Sequence, residues 1–269
     1  PDTDRIKEKV DQDKPEKAVI IGGGFIGIEM AENLRERGID VTVIEMGNQV
    51  MAPIDLEMAQ MVHTHLRDNG VHLILEDGVS SFEKNGRIIR LKSGKEVETD
   101  MTLLAIGVQP ESTIAKDAGL ELGVRDAIKV NEHLQTSDPS IYAVGDVIEV
   151  KDYINGTDTY VPLAWPANRQ GRLVADHIHG KESVYNGTLG TSIAKVFELT
   201  VASTGSNEKM LKRLGIPYEV VHVAPSSHAG YYPGASQLHL KLIFDKETGK
   251  IYGAQAVGKD GVDKRIDVI

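Results

Sequence analysis

Residues 18–21 form an unbroken apolar run, the pattern of a strand buried on both faces. Glycines follow at once, and from Phe25 onward apolar residues recur at helical spacing as far as Gly38. A second apolar run spans 41–44. After it, Leu56, Met58, Ala59, Met61, Val62 and Leu66 repeat at helical spacing, with Asp55 as the expected N-cap and Asn69-Gly70 as the stop. Residues 71–75 read as the next strand. This alternation predicts a βαβαβ unit over 17–75. Ahead of it, residues 1–14 are charged except for Ile6 and Val10, which share one face of a helical turn that Pro15 ends. Residues 78–99 read as a meander, with strands at 87–91 and 96–97 around the turn Lys92-Ser93-Gly94-Lys95. A buried strand is expected at 101–106, closing at Gly107.

The pattern changes after Pro110. A short helix at 112–118 precedes a weakly patterned stretch, and a buried strand is expected at 141–144 with Gly145-Asp146 at its tip. Residues 153–160 form a polar hairpin-like excursion around Asn155-Gly156. A helix runs from Leu163-Ala164 to about Gly180, with Leu173, Val174 and Ile178 as its core face. From Thr191 the chain turns β-rich, with strands expected at 193–197, 220–223, 238–244 and 251–257 and a helix at 208–214. The last two strands are joined by a hairpin signal ending at Gly249. No 20–50-residue repeat and no low-complexity tract is present.

The length of 269 residues suits two or three units, and a hydrophobic fraction of 41% suffices for real cores. A net charge of −10 argues against nucleic acid as a partner. No apolar run approaches the roughly 18 residues of a membrane helix, and the polar start has no signal-peptide pattern. A cytoplasmic origin with no membrane association is expected. The chain contains no cysteine, which removes disulfides, thiolate metal sites and a thiol nucleophile from these residues. The histidine pairs His63/His65 and His177/His179 are placed to point to different helix faces, so no metal site is expected. A chain that opens at Pro1 without Met and stops in an apolar stretch reads as a piece of something longer.

The candidate chemistry starts at the first glycines. Gly22, Gly24 and Gly27 have the G-x-G-x-x-G spacing between a strand and a helix, with Phe25 and Ile26 at the junction. In a dinucleotide site the first glycine permits the turn, the second lets backbone approach a pyrophosphate, and the third lets helix and strand pack closely. The helix start favours the diphosphate through its free N–H groups and dipole. Glu45 ends the next strand, where a carboxylate can accept hydrogen bonds from both hydroxyls of an adenosine ribose and would repel a 2′-phosphate. Met46-Gly47-Asn48-Gln49 offers no arginine, so NAD is favoured over NADP. Gly107 lies at a strand's C-terminal end, where open α/β sheets place ligands, although position alone fits an ordinary turn glycine equally well.

Four stretches together carry a resemblance: Gly22 to Glu29, Ala105 to Pro110, Thr136 to Asp146, and Leu163 to Arg172. In that order they resemble the pyridine nucleotide-disulfide oxidoreductases, most closely the coenzyme A-disulfide reductase and NADH oxidase branch. The resemblance implies an α/β fold: a Rossmann-like three-layer NAD domain over 1–111, the C-terminal half of an FAD domain over 112–186, and an α+β dimerisation domain over 187–269, truncated at its C-terminus. It implies FAD and NAD(H) as cofactors and a homodimer. By position, Asp146 would hold the flavin ribityl chain, Leu163 and Ala164 would approach the flavin ring through backbone groups, and Gly107 would touch the nicotinamide nucleotide. Phe25 would lie between nicotinamide and flavin, and Glu29 would face inward on the same helix, or else be a solvated helix glutamate. The family's other glycine motif and its redox cysteine are absent from this sequence.

His228 to Ala235 resembles the segment that, in coenzyme A-disulfide reductases, reaches the other subunit's active site. Tyr231, with Tyr232 next to it, would then donate a hydrogen bond or proton to a departing thiolate; the alternative is an aromatic pair packed at the dimer interface. The implied activity is hydride transfer from NADH to flavin and on to a cysteine or coenzyme A disulfide. Alternatives are an NADH oxidase, a reductase of polysulfide or of an electron carrier, or a non-catalytic NAD(H)-binding module.

Overall fold

A computed structural model describes residues 2–269. Helix α1 (Asp2–Asp13) leads through Pro15 into β1 (Lys17–Ile21), then α2 (Phe25–Glu36), β2 (Asp40–Ile44), α3 (Leu56–Asp68) and β3 (Val71–Ile74). The expected turn near the start is thus a full helix, though Pro1 lies outside the described residues. The meander β4 (Val79–Glu83), β5 (Ile88–Leu91) and β6 (Glu96–Glu98) precedes β7 (Met101–Leu104). The first sheet is parallel with the order β3-β2-β1-β7. Its unbroken apolar run has a direct cause: both faces are covered. Ala18 and Ile20 of β1 pack with Ile28, Ala31 and Leu34 of α2, whereas Val19 packs with Ile89 and Leu91 of the antiparallel meander.

The middle segment carries α4 (Thr113–Asp117), a 3-10 turn at Val124–Asp126, the short hairpin β8 (Val150–Lys151) with β9 (Asp158–Thr159), and α5 (Ala164–Ile178). Its core joins Leu134, Ala143 and Ile148 to Leu173 and Val174 of α5. Two expectations are corrected here. Residues 141–144 form no strand: their pairing is a single bridge, Gln135 with Tyr142, and both Ile141 and Val144 are exposed. An apolar run becomes a strand only where a ladder partner lies alongside, and none does among the described residues. Ile178, placed on the core face by periodicity, is exposed at the last turn of α5.

The C-terminal segment carries β10 (Ser192–Val196), β11 (Leu199–Gly205), α6 (Glu208–Leu214), β12 (Glu219–Val223), β13 (Leu238–Phe244), β14 (Ile251–Gly258) and α7 (Val262–Val268). The strands make one antiparallel sheet, β10-β11-β14-β13-β12. One face packs on α7 through Ala202, Ala256, Val262 and Ile266. The other joins the first core through Ala194, Val196, Val201 and Val257. Strand β11 and helix α7 were not foreseen from the sequence: β11 mixes small and hydroxyl residues, and α7 is short and half charged.

A buried ionic cluster ties this sheet to the first unit. Lys241 on β13 has 0% relative exposure. Its ammonium donates to Asp55 at 2.8 Å, to Glu208 at 2.6 Å and to Glu57. Burial alone would lower the Lys241 pKa, but the three carboxylates prevail and push it up to about 12. Burial would raise Glu208, but hydrogen bonds from Lys241, Tyr218 and Lys212 take it down to about 2. Asp55 precedes α3, yet its carboxylate does not cap that helix; it accepts instead from Lys241, from Gln255 Nε2 at 2.6 Å and from the Glu208 N–H at 3.2 Å. Removing one partner of such a buried set costs roughly 3–5 kcal/mol, because the remaining charges have no water to turn to.

Candidate functional site

Three glycines shape the bend after β1, for three different reasons. Gly22 has φ +109°, and a Cβ there would lie 2.2 Å from the Ala105 carbonyl oxygen. Gly27 is where α2 crosses the bend, and a Cβ would lie 2.0 Å from the Gly22 oxygen. Gly24 is the opposite case: a Cβ would meet nothing within 4 Å, because the backbone faces open space. Gly24 is also the N-cap of α2, with no side-chain cap, so the first amides of the helix are left for a ligand.

Glu45, at the end of β2, closes over this bend. Its carboxylate accepts from the Gly23 N–H at 2.8 Å and the Gly47 N–H at 2.7 Å. A carboxylate has about four acceptor positions, so two remain for hydroxyl donors. Behind the bend, Met51 N–H donates to the Gly23 oxygen at 2.8 Å. His63, only 1% exposed, accepts the Val50 N–H at Nε2 over 3.1 Å. Burial, with the nearby Arg67 charge adding to it, holds the His63 pKa down at about 4. The sequence brought His63 forward only as a possible metal ligand; its role in this loop was not foreseen.

Two cavities flank the loop. One, of about 660 Å³, is lined by Gly22, Glu45, Met46, Phe82, Lys92 and Ile106. The other, of about 600 Å³, is lined by Phe25, Ile26, Glu29, Asp146, Leu163 and Ala164. Gly24, Ala105 and Gly107 border both. The 101–106 run, expected to be a buried strand throughout, ends as a strand at Leu104, and Leu104 and Ile106 are 64% and 73% exposed where they line the first cavity. Glu29, read as either inward-facing or a solvated helix glutamate, is exposed and lies at the wall of the second.

In the second cavity α5 begins at Leu163, again with no side-chain cap, so free backbone amides point at its contents. Gln170, buried on α5, accepts the Gly145 N–H at 2.7 Å and thereby sets the position of Asp146. The Tyr160 hydroxyl donates to the Asp146 carbonyl at 2.9 Å; burial, and secondly the Asp146 charge, push that phenol up. Gln170 was missed as a site residue, and its signal was a polar residue on the helix face that otherwise carries Leu173 and Val174. Tyr231 and Tyr232 line neither cavity. They pack on each other at 5.1 Å between ring centroids, in an exposed loop closed by Ser227 N–H to the Ser236 oxygen.

The parallel sheet with its strand–glycine–helix bend, the acidic strand end and the second cavity built on a helix start have the form of a dinucleotide-binding α/β fold. Residues 1–171 match the family described as pyridine nucleotide-disulphide oxidoreductase, and residues 191–269 match the dimerisation domain of that family. The chain belongs to the pyridine nucleotide-disulphide oxidoreductases. It is 36% identical over its whole length to the coenzyme A disulfide reductase of Staphylococcus haemolyticus, of which it covers 60%. It superposes on reduced Bacillus anthracis CoADR-RHD with a TM-score of 0.98 and 67% identity, over 100% of this chain and 48% of that one. It superposes on the NAD-dependent persulfide reductase from A. fulgidus with a TM-score of 0.95 and 41% identity, over 98% of this chain and 49% of that one. The chain thus spans about 60% of the length of the curated relatives it matches. Among the described residues no helix is long and apolar enough to cross a membrane.

Proposed function

We propose that this chain binds NADH on the Gly22–Gly27 bend and presents the nicotinamide to a flavin in the adjoining cavity, within an FAD-dependent homodimeric reductase of disulfides. The observation that carries the reading is the shared wall. Gly24, Ala105 and Gly107 border both cavities, so a dinucleotide laid on the bend has its reactive end at the entrance to the second one. The residues fit both groups. The Gly24 backbone leaves room for a diphosphate, Glu45 keeps acceptor capacity for the ribose, and Asp146 and the amides at Leu163–Ala164 suit a polyhydroxyl chain and an electron-rich ring. A bound flavin supplies the hydride-accepting ring.

The chain's own residues orient and enclose. Phe25 lines the second cavity beside Gly24, Gln170 fixes Gly145-Asp146, and the apolar side chains of Leu104, Ile106 and Ile26 exclude water. Residues 1–111 serve as the NAD unit, 112–186 as half of an FAD unit, and 187–269 as the dimerising unit. With no cysteine in these residues, any thiol step belongs to the part of the full-length protein outside them. A coenzyme A-containing disulfide is the favoured acceptor, on the likeness to the Staphylococcus reductase and on Tyr231. A persulfide or polysulfide is the second reading, on the 41% identity to the A. fulgidus enzyme.

The test is anaerobic titration of the full-length, FAD-loaded protein with NADH, followed by turnover on coenzyme A disulfide, polysulfide and oxygen. Reduction of the flavin, its electron pair passing on to any bound disulfide at the first equivalent of NADH and remaining on the flavin once further NADH is added, and fastest turnover on the coenzyme A disulfide are expected. A flavin that stays oxidised overturns the reading.

A further inference from the structure

The segment between β2 and α3 is attached at two places, to the C-terminal unit and to the glycine bend. Residues 49–55 run behind the glycine bend without joining a sheet, so their backbone groups need donors and acceptors from elsewhere. Gln49 Nε2 of the segment itself donates to the Ile54 oxygen at 2.9 Å, and the C-terminal unit provides several of the others. Lys209 Nζ donates to the Ala52 oxygen at 2.9 Å, to the Ile54 oxygen at 2.8 Å and to Gln49 Oε1 at 3.1 Å. Asn207 Nδ2 donates to the Pro53 oxygen at 3.1 Å. The Asp55 N–H is taken by Gln255 Oε1 at 2.7 Å, and the Asp55 carboxylate by the buried Lys241.

The other attachment is to the bend itself. Met51 N–H holds the Gly23 oxygen, and Val50 packs so closely on Gly23 that a Cβ there would lie 2.7 Å from Val50 Cγ1. Gly23 is the residue whose N–H Glu45 receives, and the next residues in the chain present the amides of the helix start. The bend is therefore located by a segment that is itself located by side chains of α6, β13 and β14.

We propose that Lys209 and Lys241 are positioning residues for the nucleotide-binding bend, so that affinity for the dinucleotide is set from the C-terminal sheet. This rests on the reading of Gly22–Gly27 as the NADH site. Neither lysine lines either cavity, so each acts through residues 49–55. A shift of the bend by a fraction of an ångström misdirects the amides that receive the diphosphate, and such misplacement weakens binding without touching the reacting atoms.

The test uses the full-length, FAD-loaded enzyme. Lys209→Met is the primary variant, because its side chain lies partly at the surface and its loss leaves no buried carboxylate unpaired. The KM for NADH is expected to rise about tenfold while kcat at saturating NADH and flavin content hold, and Lys209→Arg is expected to restore most of the affinity. Lys241→Met is expected to move KM further in the same direction; if it does not fold, Lys209→Met decides alone. A folded Lys209→Met enzyme with unchanged KM, or one that loses kcat and not affinity, overturns the proposal. An unvaried enzyme that does not bind NADH overturns the functional reading and this proposal with it. An unvaried enzyme that binds NADH beside a Lys209→Met variant that binds it equally well overturns this proposal alone.

Discussion

The Glu45 carboxylate holds the Gly23 N–H at 2.8 Å, across the gap between the second strand and the glycine bend. The same carboxylate also holds the Gly47 N–H. Glu45 therefore shapes the bend while lining the first cavity, on the side that the proposed function gives to the adenosine ribose. Hydrogen bonds to a charged acceptor contribute about 1.5–3 kcal/mol each when water cannot replace them; at this half-buried site the lower end applies. Glu45→Ala is expected to weaken NADH binding at least about tenfold by calorimetry on the full-length protein. Glu45→Gln keeps one acceptor oxygen and removes the charge that repels a 2′-phosphate, so its preference for NADH over NADPH is expected to narrow. An unaltered preference would remove Glu45 from the ribose site.

Gly24 and Gly27 separate folding from binding. Gly24 has φ −75°, a value any residue adopts, and its missing Cβ faces open space. Gly24→Ala is expected to change the melting temperature little, while NADH affinity falls tenfold or more because the methyl occupies the diphosphate's place. Gly27→Ala puts a methyl against the Gly22 oxygen. It is expected to cost about 1–3 kcal/mol of stability as overpacking, visible as a lower melting temperature with or without ligand. If Gly24→Ala bound NADH normally, the diphosphate would have to lie elsewhere.

The parallel sheet, its helices and the glycine bend were legible because each rests on a local rule: apolar runs for strands covered on both sides, helical spacing for amphipathic helices, and glycines where no Cβ fits. What was not legible depended on distant partners. Residues 141–144 look like a strand but find no ladder among the described residues. Asp55 looks like a cap, yet its carboxylate is claimed by Lys241 and Gln255, nearly 200 positions away. Lys241 itself lies in an alternating strand where periodicity gives no hint that a charge is enclosed. Leu104 and Ile106 look like core and line a cavity instead, because a strand tip at the edge of an α/β sheet is where ligands are placed. Of the candidate site residues, those of the glycine bend other than Gly27, with Glu29, Glu45, Gly107, Asp146, Leu163 and Ala164, line the two cavities, whereas Tyr231 and Tyr232 do not; the supports behind the bend, His63, Gln170 and Lys209, were not legible.

His63 gives the fold a pH dependence whose sign is fixed by its environment. In the unfolded chain it titrates near 6.5, and in the fold near 4. The folded state excludes the proton, so stability is full above about 6.5 and falls as pH drops toward 4. One pKa unit corresponds to about 1.4 kcal/mol, so the loss from this group is at most about 3.5 kcal/mol. The structural consequence is specific: protonated Nε2 can no longer accept the Val50 N–H, and Val50 is the residue packed on Gly23. His63→Gln offers an uncharged acceptor in its place. The difference in melting temperature between the unvaried protein and this variant is expected to shift in favour of the variant between pH 6.5 and 4, and a constant difference would exclude the mechanism.

Tyr231 tests the acceptor rather than the nucleotide. It is 85% exposed and lines neither cavity of its own chain, so a role in chemistry requires that its loop reach a second subunit. The loop is held at its base by Ser227 and Ser236 and internally by the Tyr232 N–H to the Ala229 oxygen. It presents its two rings as a formed projection. If Tyr231 donates to a departing thiolate, Tyr231→Phe removes the hydroxyl and keeps the ring. Turnover on coenzyme A disulfide is expected to fall about 100-fold, the lower range for loss of a general acid. The rate of flavin reduction by NADH, which under the proposed function takes place at the glycine bend, is expected to stay within about twofold, and the dimer is expected to persist on size exclusion. A dimer that dissociates would assign the pair to packing between subunits, and an unchanged disulfide turnover would leave the persulfide reading as the better one.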